Sequence, residues 1–439
     1  MQFPHLQDKK IAILGYGREG KSTLQFLLKQ EIVPANITIL DKNPIDLGDI
    51  KSPLPPFIKG GSDYLQNLEN YDIIFKSAGI PYTPEIQQVK EKLITQVQFF
   101  FDHYQGKVIA LTASKGKTTM TSLAYQLLLD AGLPVTLAGN IGKPVLDQVD
   151  LEDKDGYVVI ELSSFMLETL HKKNLVSILG SIFPVHLDRH GSMENYLKAK
   201  ANILKGSEYN IVFSSTKEQY FPDAQIEHLT LCGKGTNITR DENYFYAGGK
   251  QLFTRSEIKL LGEHNLWNIS AIVALAQILK IDEKILVQTL KNFSAVRHRL
   301  EKVGTFKGID FYDDAISTSP YSTIAALDAL GDQVDTLFLG GVDGRYDFAS
   351  MVERVKKSQI ANLVLFPDSG PTIEKLLGEH SYNILHTRDM QEAVAFAYKY
   401  TKPGKIALLS TATPSFSVWK DFEEKGDLFQ QRVKKLGTS

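Results

Sequence analysis

Short apolar runs recur along the chain. Each is closed by glycines or polar residues, and residues at helical spacing follow. Lys10–Leu14 (KIAIL) runs into Gly15, Gly17 and Gly20, and Ser22–Lys29 then has helical spacing. Ile37–Leu40 ends at Asp41, and Tyr71–Phe75 ends in KSAGIP (76–81). Lys107–Leu111 leads through TASKGKTT (112–119) into a helical pattern over Met120–Ala131, and Tyr157–Ile160 ends at Glu161. Gly308–Tyr312 ends at Asp313 and Asp314; Val334–Leu339, Leu363–Phe366 and Lys405–Leu409 follow with helical spacings between them. Buried strands alternating with helices predict parallel, doubly wound α/β layers.

The alternation falls into three stretches. Residues 1–105 read as a Rossmann-like domain, 106–299 as a P-loop ATPase-like central domain, and 300–439 as a second Rossmann-like domain. The length of 439 residues agrees, at roughly 150 residues per domain. No short repeat and no low-complexity tract interrupts the pattern.

Composition removes several classes. Lys and Arg number 49 against 51 Asp and Glu, a net charge of −2, which argues against a strongly basic nucleic-acid binder. The single cysteine, Cys232, excludes an intrachain disulfide and a cysteine-held zinc or iron–sulfur site, and suits a reducing cytoplasm. The first ten residues lack the apolar stretch of a secretory signal. No run of about 18 apolar residues predicts a spanning helix. A cytoplasmic protein with small-molecule partners is expected.

Two glycine-bearing turns carry the chemistry. Gly15-Tyr16-Gly17-Arg18-Glu19-Gly20 fits G-x-G-x-x-G between a strand and a helix, where backbone N–H groups meet a phosphate. Asp41 ends the next strand, about 20 residues on, where a ribose-binding acid belongs. The motif does not separate NAD from another diphosphate nucleotide, and a tight turn without ligand is the bland alternative. Ser114-Lys115-Gly116-Lys117-Thr118-Thr119 lies at a second strand-to-helix junction. Its backbone would cradle phosphates, Lys117 would reach the β/γ oxygens, and the Thr118 hydroxyl would face Mg²⁺. The longer form of this loop would need glycine where Leu111 stands, so this is a shorter variant. A lysine-bearing helix start is the alternative here. Two phosphate loops in separate domains speak for a nucleotide-linked substrate in the first and ATP in the second. Glu161, at a strand tip beside the second loop, is placed for Mg²⁺. His186 and His190 sit in a polar cluster after an apolar run. Composition alone makes Lys200 a surface lysine.

These residues, with others along the whole chain, resemble the Mur ligases, ATP-dependent amide-forming enzymes of peptidoglycan synthesis. The matching segments are GYGREG (15–20), SAGIP (77–81), TASKGKTT (112–119), GNIGKP (139–144), ELSSFMLE (161–168), HLDRHGSMENYLKAK (186–200), GEHNLWN (262–268), RHRLE (297–301), DDAISTS (313–319), LGGVDGR (339–345) and LLSTATPSFSVWKDFEEKGDLF (408–429). The resemblance implies that D-glutamate is joined to UDP-N-acetylmuramoyl-L-alanine through an acyl phosphate. The same chemistry with L-glutamate or another amino acid, or a non-catalytic homologue, is the alternative.

It also implies roles. Gly15, Tyr16, Gly17, Arg18, Glu19, Asp41, Gly79, Asn140 and Ser163 would bind the UDP-sugar. Ser114 through Thr119 (with Lys115 and Gly116), Asn268, Arg299 and Asp314 would bind ATP. Two Mg²⁺ would sit among Thr118, Glu161, His186 and Lys200, the last carrying a bicarbonate-derived carbamate. Thr318, Arg345, Ser415 and Phe422 would hold the amino acid. Lys117, His186 and Lys200 would be catalytic, and a monomer is expected. Four departures bear on this. Ala113 replaces a phosphate-loop glycine, and its methyl would either crowd the phosphates or be tolerated as a small group. Met166 replaces a glutamine. Ser181 and Val185 replace polar residues before His186. Ile316 replaces a lysine near the glutamate carboxylate, which would weaken carboxylate binding or shift it to Arg345.

Overall fold

The computed structural model describes residues 3–43, 45, 57–140, 144–260, 262–293, 297–343 and 346–438. They form two compact units, Met1–Glu257 with Trp267–Lys291, and Ile258–Leu266 with Asn292–Ser439. The first unit carries two sheets and the second carries one. No helix among the described residues is long and apolar enough to cross a membrane.

The first sheet is parallel, in the order Phe57–Gly60, Ile37–Asp41, Ile11–Leu14, Ile73–Lys76, Leu93–Ile94. Ile11–Leu14 is buried at every position because both its faces are covered. Its neighbours are the next two strong strands of the chain, one on each side, so strand order reverses at its carboxyl end. That is where open α/β sheets bind ligands. The glycine turn stands there and continues into the helix Arg18–Lys29. A side chain at Gly20 would bring its Cβ to 2.0 Å from the Gly15 carbonyl oxygen, so only glycine lets the helix seat this closely.

The second sheet runs Lys250–Thr254, Tyr244–Ala247, Ile238–Arg240, Leu229–Cys232, Ser207–Phe213, Asn174–Leu179, Lys107–Thr112, Tyr157–Glu161, Val135–Gly139. It is parallel except for the antiparallel pairs among its first three strands. Lys107–Thr112 is again the strand at which order reverses, and the second phosphate loop leaves its carboxyl end. The helix that follows, Lys117–Asp130, starts inside the motif, three residues before the apolar spacing begins.

The third sheet runs Glu301–Phe306, Ile309–Asp313, Ile406–Leu409, Val334–Gly340, Asn362–Phe366, Asn383–His386, with only its first pair antiparallel. Val334–Gly340 is buried throughout. One face packs Phe311, Phe338, Phe366, Trp419 and Phe429, and the other packs Leu337, Leu339, Leu363 and Leu365. The carboxyl ends of Ile309–Asp313, Ile406–Leu409 and Val334–Gly340 lie side by side and present Asp314, Ser410 and Gly341.

Candidate active site

A cavity of about 700 Å³ opens in the first unit where the carboxyl ends of its two sheets face each other. From the first sheet come Gly15, Gly17, Arg18, Glu19, Asp41 and Gly79. From the second come Ser114, Lys117, Asn140, Ser163, His186 and Lys200. All the residues assigned above to the UDP-sugar and to the reaction except Tyr16 thus line one space.

On the first-sheet side the glycine turn is tied by its own acids. Asp41 accepts from the Tyr16 N–H at 2.8 Å and the Asn43 N–H at 2.8 Å. The Glu19 carboxylate accepts from the Ala78 N–H at 2.8 Å, and the Ser77 hydroxyl donates to the Gly15 carbonyl at 3.0 Å. Burial raises the Glu19 pKa, against the Ala78 N–H, Lys76 and Arg18, which all favour the anion. Gln96, not singled out in the sequence, donates to the Ser22 and Thr23 hydroxyls and the Glu19 carbonyl. It fixes the first turns of the helix behind the loop.

The second phosphate loop turns at Gly116, at φ +86°, where a Cβ would stand 2.5 Å from the Asn268 Oδ1. The segment holding Asn268 therefore closes directly over the loop. Lys117 Nζ donates to the Ala113 carbonyl at 3.0 Å and the Ser114 carbonyl at 3.2 Å, curled over the cradle its backbone makes. Thr118 Oγ1 donates to Glu161 at 2.9 Å, and Asn140 Nδ2 donates to the other Glu161 oxygen at 2.8 Å. Glu161 is 1% exposed. Hydroxyl and carboxylate oxygens side by side are the hard donors that Mg²⁺ takes, so the residues fit that ion. Thr119 is buried within its helix. Ser114 Oγ meets the Phe183 N–H at 2.8 Å and the Tyr196 hydroxyl at 2.5 Å, and burial pushes the tyrosine pKa up to about 12.

Ala113 is fully buried, and its methyl faces Gly180, whose missing side chain leaves it room. Lys200 is not a surface lysine. It is 2% exposed, on the helix Met193–Ala201, and its Nζ donates to Thr112 Oγ1 at 2.7 Å and the Ala113 carbonyl at 2.9 Å. Burial, with Lys117 nearby, holds its pKa well below the ordinary lysine value, and Glu161 opposes that shift. Helical spacing alone could not reveal this, because the face that buries Lys200 is set by the phosphate loop beneath it. His186 is exposed and caps the short helix Leu187–His190 at φ +57°, with its ring against the edge of Phe165, 5.2 Å between centroids.

In the second unit Asp314 is buried and accepts from the Leu300 N–H at 3.1 Å and Ser410 Oγ at 2.8 Å. Burial raises its pKa to about 6, against Ser317, Ser410 and Arg299. Ser415 is buried and its Oγ has no hydrogen-bond partner among the described residues, a hydroxyl left for something else. Phe422 opens the helix Phe422–Gly437, and Thr318 is half-buried. Arg345 lies outside the described residues. Sequence reasoning missed two groups in this region. His298 Nδ1 meets Asp313 at 2.7 Å, and Lys425, 0% exposed, donates to Thr411 Oγ1 close to Asp313 and Asp314. Both fall inside quoted segments, but only the tertiary packing brings them to the two aspartates.

Residues 111–276 match the Mur ligase middle domain, and residues 298–413 match the Mur ligase glutamate ligase domain. The chain belongs to the Mur ligase family and is an ATP-dependent, ADP-forming ligase. A UDP-N-acetylmuramoylalanine–D-glutamate ligase of Acetivibrio thermocellus is 33% identical, over 98% of this chain and 97% of the relative. In fold the chain is similar to the UDP-N-acetylmuramate–alanine ligase of Thermotoga maritima, at a TM-score of 0.64 and 18% identity, covering 98% of this chain and 100% of that one. It is also similar to the MurF ligase of Thermotoga maritima solved with ADP, at a TM-score of 0.60 and 15% identity, covering 98% and 96%.

Proposed function

We propose that this chain joins D-glutamate to UDP-N-acetylmuramoyl-L-alanine at the expense of ATP. The observation that carries the reading is the shared cavity. A diphosphate-type glycine turn and an ATP-type loop open onto the same space, with Lys117, His186 and Lys200 on its wall. In the proposed division, 1–105 takes the UDP-sugar, 106–299 takes ATP and Mg²⁺, and 300–439 takes the amino acid. The name and full-length identity of the relative support the same substrates.

The chemistry follows from charge. A carboxylate is a poor electrophile and must be activated. One carboxylate oxygen of the UDP-linked alanine attacks the γ-phosphorus, the bond to ADP breaks, and an acyl phosphate forms. Lys117 leaves its two loop carbonyls and offsets charge on the transferring group. Thr118 and Glu161 would hold Mg²⁺, which would supply charge neutralisation for the transferring phosphate. The glutamate amine then attacks the acyl carbon, phosphate leaves, and the amine proton passes to a general base, for which His186 is the candidate by its position on the cavity wall alone. Lys200 enters as its carbamate. Its buried amine, whose neutral form burial and Lys117 favour, adds to carbon dioxide and releases a proton, so that a neutral amine becomes an anionic carbamate suited to a metal site.

Substrate labelled with heavy oxygen in the alanine carboxylate tests the path. One labelled oxygen is expected in each phosphate released. Phosphate free of label would reject the acyl phosphate.

A further inference from the structure

We propose that Arg189 is a positioning residue: it ties the loop over residues 78–80 to the turn that carries His186, so both walls of the cavity are set together. The inference rests on the reading above, in which that loop flanks the UDP-sugar and His186 faces the reaction.

One guanidinium takes three successive carbonyls. Arg189 Nη1 donates to Gly79 O at 2.7 Å, and Nη2 donates to Ala78 O at 2.8 Å and Ile80 O at 3.1 Å. Its central carbon lies over the Phe165 ring, 4.2 Å from the centroid. A planar fork with fixed donors can bridge three carbonyls and stack at once; an ammonium cannot. On the loop side, the Ala78 N–H is held by Glu19 and the Ser77 hydroxyl by Gly15, so the segment Arg189 grips is the one already tied to the glycine turn. On the other side, the backbone N–H groups of Arg189 and His190 donate to the His186 carbonyl at 3.1 and 3.0 Å. That pins His186 in its left-handed conformation, at φ +57°. Phe165, beneath the guanidinium, meets the His186 ring at its edge and stacks on His190, 5.2 Å between centroids in each case. His190 Nε2 meets the Ser164 hydroxyl at 3.0 Å, which anchors the base of the stack. Arg189 is therefore joined to both walls, by hydrogen bonds on one side and by backbone and ring contacts on the other.

The test compares the full-length wild-type protein with Arg189→Met and Arg189→Lys. Steady-state kinetics and the side-chain NMR signal of His186 are read together, with melting temperatures to confirm folding. Arg189→Met is expected to raise KM for the UDP-sugar about tenfold and to lower kcat, with KM for ATP held within about twofold. The His186 ring signal should shift in the ligand-free protein, and Arg189→Lys should recover part of each change. Unchanged kinetics with an unmoved His186 signal would overturn the proposal. So would equal rises in KM for both substrates, the mark of a merely structural role. If the methionine variant does not fold, the lysine variant decides, with the same changes in smaller measure. Wild-type protein that fails to bind the UDP-sugar would remove the underlying reading. Wild type that binds it, with variants indistinguishable from it, would remove only this inference.

Discussion

At the scale of single residues, Lys117 is the side chain on which the phosphoryl step depends most directly. Its Nζ folds back on the Ala113 and Ser114 carbonyls. Removing a preorganised charge from the transferring group costs about 10²–10³ in kcat. Lys117→Ala should lose at least that much in phosphate release while its melting temperature stays near wild type. A loss confined to KM would mean that the lysine only binds. Lys425 gives a second residue-scale outcome. Burial holds its pKa near 7, against 10.5 when free, although Asp313 and Asp314 pull it upward. Between those two values the unfolded chain binds the proton and the folded chain does not, so this group makes stability rise with pH across that window. In denaturant melts, Lys425→Met should flatten that rise. An unchanged slope from pH 7 to 10 would show that the ammonium is charged in the folded protein.

Much of this was open to sequence reading, because a phosphate turn is local. GYGREG and SKGKTT each need only a strand before them and a helix after. What stayed hidden depends on partners far along the chain. Lys200 becomes a buried amine because Thr112 and Ala113 lie under its helix, 88 and 87 residues away. Ala113 finds room for its methyl because Gly180 faces it. Arg189 is one of several charges in its segment until the loop at 78–80 comes to meet it.

At the scale of elements, the central strands were legible and the sheet edges were not. Ile11–Leu14 and Val334–Gly340 are apolar throughout because both faces are covered. Phe57–Gly60 and Asn383–His386 are edge strands, largely exposed or half-buried, and their sequences carry no such run. Helix starts were read late where a phosphate turn supplies the first residues, as at Arg18 and Lys117. The seating of the first helix gives a prediction at this scale. Gly20→Ala would drive a methyl onto the Gly15 carbonyl, so the helix must shift away from the turn. UDP-sugar affinity should fall about tenfold or more, while KM for ATP stays near wild type. Equal affinity in the variant would show that the turn is not formed as described. At the other end of the chain, Asp421 caps the helix Phe422–Gly437 by accepting from the Glu424 N–H. Asp421→Ala should cost about 1 kcal/mol in denaturant unfolding of the second unit, and no change would mean that the cap is replaced by water.

At the scale of the molecule, the sheets repeat one device. In the first two, a strand at which order reverses presents a loop at its carboxyl end, and both loops face one cavity. The third presents Asp314 and Ser410 at the carboxyl ends of neighbouring strands, with Ser415 buried beyond them. Family membership and the full-length relative make the chain a Mur ligase. The most direct measurement is phosphate release by the purified protein with ATP, Mg²⁺ and UDP-N-acetylmuramoyl-L-alanine, comparing D-glutamate, L-glutamate and no amino acid. Release that requires D-glutamate is expected. Release that ignores the amino acid, or none at all with a bound UDP-sugar, would contradict the proposed function.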